Sequence, residues 1–150
     1  MANIIIVFAS MTGNTEEMAD AIAAGVREAG IEPKVVDVLD AKAADLADYD
    51  GILLGAYTWG DGELPDEFLD YYAEMDALDL SGRKSAVFGS ADSGYTQYGV
   101  AVDILLAKLA ERGSENVLEG MKIELNPSEK EKEELRTFGR TFVSHLLQTV

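Results

Sequence analysis

NIIIVFASMTGNTEEM, residues 3–18, changes character halfway. NIIIVFA (3–9) is almost continuously apolar and β-branched, as expected of a strand covered on both faces. The chain then enters small hydroxyl and amide residues, Ser10, Thr12, Asn14 and Thr15, set around Gly13. From Asn14 the spacing lengthens: Met18, Ile22 and Val26 recur with Ala19 and Ala23 on one stripe, predicting a helix over 14–30 closed by Gly30. A doubly covered strand, a polar turn and an amphipathic helix make the first half of a β–α–β unit.

The pattern repeats. KVVDV (34–38), GILLGAY (51–57), KSAVFGS (84–90) and NVLEGMKIEL (116–125) read as four more strands. PDEFLDYYAEM (65–75), VAVDILLAKLAERG (100–113) and PSEKEKEELRTFGRTFVSHLLQTV (127–150) read as helices, the second closed by Gly113 and the third opened by Pro127 and acids. Strand–helix alternation predicts an α/β architecture, a doubly wound parallel sheet with helices on both faces. No repeat, linker or low-complexity tract interrupts it, so 1–150 is expected to form one domain.

Composition removes several function classes. The 12 basic and 28 acidic residues leave a net charge of −16, which disfavours a nucleic-acid partner, since phosphate backbones demand Lys and Arg. No apolar run approaches the roughly 18 residues of a membrane span. The N-terminus lacks the basic n-region of a signal peptide, and a cytoplasmic protein is expected. With no cysteine and a single histidine, His145, disulfides, thiolate metal sites and a serine–histidine triad have no material, and no metal is expected.

In an open parallel sheet, ligands bind beyond the carboxyl ends of the strands. Three loops there carry unusual residues. In the first, Ser10-Met11-Thr12-Gly13-Asn14-Thr15, successive backbone N–H groups and a helix N-terminus can cradle an anion, aided by hydroxyl and amide donors. No Lys or Arg occurs before Arg27, and neither a Walker lysine nor a GxGxxG turn is present. The alternative for the same residues is a capped helix start, with Asn14 or Thr15 as N-cap and Glu17 nearby. The second loop, GAYTWGDGELPDEF (55–68), exposes the only tryptophan, Trp59, among small and acidic residues, where its ring suits a planar aromatic ligand. The third, GSADSGYTQYGVAVD (89–103), adds Tyr95, Tyr98 and Asp92. One anion loop and two aromatic loops describe a mononucleotide with a large flat base.

SMTGNT, GAYTWGDGELPDEF and FGSADSGYTQYGVAVD, in that order, resemble the flavodoxin family over essentially the whole chain. The last strand, read as uninterrupted over 116–125, resembles the short-chain bacterial subgroup. The resemblance implies a three-layer fold with a five-stranded parallel sheet of order 2-1-3-4-5 and non-covalently bound FMN. By position it implies Ser10, Met11, Thr12, Gly13, Asn14 and Thr15 at the phosphate, with Met11 replacing a residue that is often small. It implies Thr58, Trp59 and Gly60 on the inner ring face, Ser90, Ala91 and Asp92 on the pyrimidine side, and Tyr95 stacked outside with Tyr98 beside it. Gly60, next to Asp61, falls where a backbone carbonyl turns toward ring N5.

Between Ala43 and Gly82 stand eleven acids and no base. At an effective dielectric of about 20, one charge roughly 10 Å from a reduced ring costs on the order of 1.7 kcal/mol before screening. Since roughly 1.4 kcal/mol is 59 mV for one electron, Asp61, Glu63, Asp66 and Glu67 together predict well-separated one-electron steps, the second strongly reducing. The same acids predict basic-surfaced redox partners, and the resemblance implies an NADPH-dependent flavodoxin reductase and acceptors such as oxygenases or desaturases. No obvious apolar patch marks a subunit contact, so a monomer is expected.

Three other functions fit the alternation less well. An FMN-dependent quinone or nitro reductase needs a substrate pocket that these loops do not supply. A phospho-accepting receiver needs acids after strand one and an aspartate after strand three, where Ala9-Ser10 and Tyr57-Thr58 stand. A dedicated activator of one enzyme would carry the same loops as a general electron carrier.

Overall fold

The computed structural model describes residues 3–10, 13–58, 64–91, 99–124 and 127–147. Their elements follow in the order β1 (Ile4–Phe8), α1 (Asn14–Glu28), β2 (Lys34–Asp37), β3 (Gly51–Gly55), α2 (Asp66–Glu74), β4 (Lys84–Ala91), α3 (Val100–Glu111), β5 (Glu115–Asn116), β6 (Met121–Glu124) and α4 (Glu129–Leu147). The pairings are parallel, in the order β2-β1-β3-β4-β5, with β6 also on β4. This is the expected doubly wound sheet of order 2-1-3-4-5.

Side-chain alternation along the strands builds two cores. Ile4, Ile6, Phe8, Leu53 and Phe88 pack on the face covered by Met18, Ile22 and Val26 of α1 and Leu135, Phe142 and Val143 of α4. Ile5, Val7, Ile52, Leu54 and Val87 pack on the other, under Phe68 of α2 and Leu105 and Leu109 of α3. All five residues of β1 and of β3 are buried, which explains their unbroken apolar sequence. The edge strand β2 is half-exposed and accordingly mixed.

Helix ends obey local chemistry. After α1, Gly30 N–H donates to the Arg27 carbonyl at 3.0 Å and Ile31 N–H to that of Val26 at 3.3 Å, a Schellman closure. Gly113 and Ser114 close α3 in the same way, on the Ala110 and Leu109 carbonyls. The start of α4 is a capping box: Glu131 N–H donates to Ser128 Oγ at 3.2 Å, and Ser128 N–H to Glu131 Oε1 at 2.9 Å.

Three features depart from the sequence reading. The strand expected over 116–125 is two short segments in line on β4. Lys84 and Ser85 face Glu115 and Asn116, while Phe88 faces Met121. Residues 117–120 therefore stand opposite only two residues of β4 and must bow out of the ladder. Short 3-10 turns occur at Val38–Asp40, Ala43–Asp48 and Met75–Ala77, where no turn was expected. Finally, neither Asn14 nor Thr15 caps α1. The cap position is Gly13, and no side-chain cap hydrogen bond is made there.

Candidate functional site

The chain leaves β1 for β2 on one side and β3 on the other, and this reversal opens a crevice at the carboxyl ends of β1, β3 and β4. Most of the described sequence-predicted site residues stand there. Ser10 follows β1 and its Oγ accepts from Gly13 N–H at 3.0 Å, folding the turn back on itself. Gly13 has φ +89°, a left-handed conformation that would strain any residue with a Cβ. Its carbonyl accepts from Glu17 N–H at 2.9 Å and starts α1. The first-turn N–H groups thus emerge beside the end of β1 with no side chain capping them.

Two long-range hydroxyl contacts tie the loops together. Thr15 Oγ1, in the first turn of α1, lies 2.8 Å from Ser90 Oγ on β4, and both residues are buried. Sequence reasoning put Thr15 at a phosphate and Ser90 at a pyrimidine edge; the structure brings them into direct contact. Thr58 Oγ1 accepts from Ala101 N–H at 3.2 Å, so a residue beyond β3 caps α3 from outside that helix. Neither contact carried a local sequence signal, because the partners are 75 and 43 residues apart. Asn14 opens α1 and Ala91 ends β4. Met11, Thr12, Trp59, Gly60, Asp61, Asp92, Tyr95 and Tyr98 lie outside the described residues.

Sequence reasoning missed Tyr57. Burial, then the charge and hydrogen-bond acceptance of Glu67, then Asp66, push its pKa up to about 12. The phenol therefore stays protonated and donates to Glu67, tying the loop after β3 to the first turn of α2. A tyrosine at a strand end with acids ten residues on was the available cue.

The donor set is neutral. A hydroxyl has one proton and two acceptor lone pairs, so Ser10 can accept from Gly13 and still donate outward. In the Thr15–Ser90 pair, one hydroxyl donates within the pair and the other retains its proton for a ligand. Together with the open N–H groups of α1, these suit the terminal phosphate of a mononucleotide, which needs several directed donors and draws on the helix dipole. No metal-capable cluster of three or more His, Cys, Asp or Glu residues occurs among the described residues.

Such a sheet, with neutral donors gathered at its reversal point, defines the doubly wound mononucleotide-binding class. Within that class, the family model described as Flavodoxin matches residues 6–139. The Bacillus subtilis (strain 168) protein named Probable flavodoxin 2 is 51% identical over 143 residues, 95% of each chain. The crystal structure of oxidised Flavodoxin 1 from Bacillus cereus superposes with a TM-score of 0.94 at 56% identity, covering 96% of this chain and 99% of that one. A short-chain flavodoxin associated with a bacterial microcompartment gives a TM-score of 0.92 at 30% identity, covering 97% and 99%. The chain belongs to the flavodoxin family. It is an FMN-binding electron carrier, not a substrate-converting enzyme, and it works with redox partner proteins.

Proposed function

We propose that this chain is a low-potential one-electron carrier built as one domain over residues 1–150, working as a cytoplasmic monomer between an NADPH-dependent flavodoxin reductase and acceptors such as oxygenases or desaturases. The observation that carries the site assignment is the uncapped first turn of α1, entered at a left-handed Gly13 between the Ser10 hydroxyl and the Thr15–Ser90 pair. Among the described residues no helix is long and apolar enough to cross a membrane.

FMN supplies reversible one- and two-electron chemistry when bound. Residues 10–15 hold its phosphate with neutral donors, so the affinity resides in directed hydrogen bonds and the α1 dipole rather than in ion pairing. Thr58, Trp59, Gly60 and Asp61 line the inner side of the ring, Ser90, Ala91 and Asp92 its pyrimidine edge, and Tyr95 its outer face, with Tyr98 closing the loop. The Gly60 carbonyl, on a residue without a Cβ to hinder its turning, is the acceptor assigned to a proton at ring N5. Asp61, Glu63, Asp66 and Glu67 place negative charge around the same loop and oppose accumulation of further negative charge on the ring, which lowers the second potential. The thermodynamic contribution of each acid falls as salt is added, because these positions border solvent.

The test is anaerobic reductive titration of the FMN-loaded protein, followed by its visible spectrum. Long-wavelength absorbance that rises after the first electron equivalent and falls after the second supports the carrier reading. A direct passage to the bleached two-electron form, or rapid NADPH oxidation without a reductase, overturns it.

A further inference from the structure

Beside the proposed flavin site, a pocket of about 190 Å³ opens between α2 and the 3-10 turn at Val38–Asp40. At roughly 30 Å³ per water it has room for about six waters. Glu67, Asp70, Tyr71 and Glu74 line it from α2, with Leu39 and its neighbours opposite. The α2 residues fall at spacings of three, four and seven, a single helical stripe.

The pocket carries more than negative charge. Tyr71 is 3% exposed, yet its hydroxyl has no hydrogen-bond partner among the described residues. Glu67 Oε1 is likewise buried and unpartnered. Burial first, then the charges of Asp45 and Glu74, hold the Tyr71 pKa high, so the phenol remains a neutral hydroxyl with lone pairs to offer. An unsatisfied buried polar atom costs stability, and two of them in one pocket point to an occupant that satisfies both. No ion pair among the described residues uses Asp66, Glu67, Asp70 or Glu74.

We infer that this pocket receives an arginine side chain from a redox partner protein, with Glu67 Oε1 and Tyr71 Oη accepting from the guanidinium and Asp70 and Glu74 as its charged rim. The identification of the partner as a redox protein rests on the proposed function. A planar guanidinium presents several N–H donors at fixed angles and sheds water more readily than an ammonium, which suits two acceptors on separate residues. Leu39 supplies the apolar part of the contact. It is 70% exposed and is held outward by a capped turn, in which its N–H donates to the Asp37 carboxylate at 2.9 Å. Because Tyr57 donates to Glu67 and directly precedes Thr58, an arginine seated at Glu67 brings the partner against the loop beyond β3.

The experiment uses the FMN-loaded, isotope-labelled chain and N-acetyl-arginine amide as probe, at constant ionic strength. The expected result is saturable amide shifts at Leu39, Glu67, Asp70, Tyr71 and Glu74 in the roughly millimolar range. N-acetyl-citrulline amide should give none, and N-acetyl-lysine amide should bind several-fold more weakly. Tyr71→Phe, which keeps the buried ring, should weaken binding about tenfold, and the exposed variant Asp70→Asn about threefold. Absence of saturable shifts, equal shifts from the lysine probe, or unchanged affinity in both variants would overturn the inference. Shifts that appear on concentrating the protein without probe would assign the pocket to a second copy of the chain, and overturn it too. Flavin absorbance on the same samples separates the two levels: lost flavin faults the carrier reading, whereas bound flavin beside a silent pocket faults the arginine site alone.

Discussion

Thr15 and Ser90 show what a buried hydroxyl pair demands. At 1% and 5% exposure, neither side chain can turn to bulk water, so each depends on the other across 2.8 Å. Removing one hydroxyl leaves its partner buried without a mate, a cost of about 1–3 kcal/mol. Thr15→Val keeps the shape and orphans Ser90; Ser90→Ala orphans Thr15. The double variant removes both groups and leaves no orphan. Urea unfolding of the flavin-free protein should therefore show each single variant destabilised by about 1–3 kcal/mol and the double variant no worse than the poorer single. Strict additivity would mean that the two hydroxyls do not interact. Residue type was legible here: small hydroxyls after apolar strands announced a polar site. The pairing was not, because it depends on how far α1 slides along β4, and that is set by packing between helices rather than by local sequence.

Helix packing is where the elements have least tolerance. At α1–α4 the backbones approach so closely that a Cβ on Gly25 would lie 2.0 Å from the Arg136 carbonyl oxygen. One on Gly139 would lie 2.3 Å from that of Ile22. Alanine at either position would gain about 1 kcal/mol of helix propensity. The obstacle is backbone that cannot rotate aside, so helix separation must grow, and overpacking typically costs about 1–3 kcal/mol or more. Gly25→Ala and Gly139→Ala should each lower stability by about 1–2 kcal/mol net, measured by thermal or urea unfolding. A stabilised Gly139→Ala would mean that the helices can part freely.

Periodicity located the five strand positions and four helices because apolar spacing reports burial directly. It could not distinguish these two glycines from tolerated ones, since close approach belongs to a pair of helices. The last strand failed for a similar reason. Val117, Leu118, Met121 and Ile123 keep an apolar pattern that reads as continuous, but Gly120 sits under Val102 of α3, where a Cβ would come 2.4 Å from its Cγ1. Packing against α3 thus accompanies the bow in the chain at 117–120, and a sequence pattern does not report it.

Across the whole molecule, charge opposes compaction. With 28 acids against 12 bases, pairing every base once would still leave sixteen acids without a partner. The ion pairs that do form are largely solvent-exposed, such as Arg27–Glu32 at 2.7 Å and Lys122–Asp103 at 3.0 Å, and pairs of that kind contribute little. Screening weakens attraction and repulsion alike, so the sign of the salt effect depends on which is in excess, and here repulsion is. Raising ionic strength from about 0.01 to 0.1 M shortens the Debye length from about 30 to 10 Å, less than the span of a domain this size. The melting temperature of the flavin-free protein should rise over that interval and then flatten. Each kcal/mol gained reads as roughly 2–4 °C. A general salting effect would behave differently, continuing to climb at high concentration and more steeply in sulfate than in chloride. Asp70→Lys, which changes the net charge from −16 to −14 at an exposed position, should melt higher than the parent at low salt and gain less from added salt. A melting temperature that falls between about 0.01 and 0.1 M would mean that the exposed ion pairs, not the excess carboxylates, govern the electrostatics of the fold.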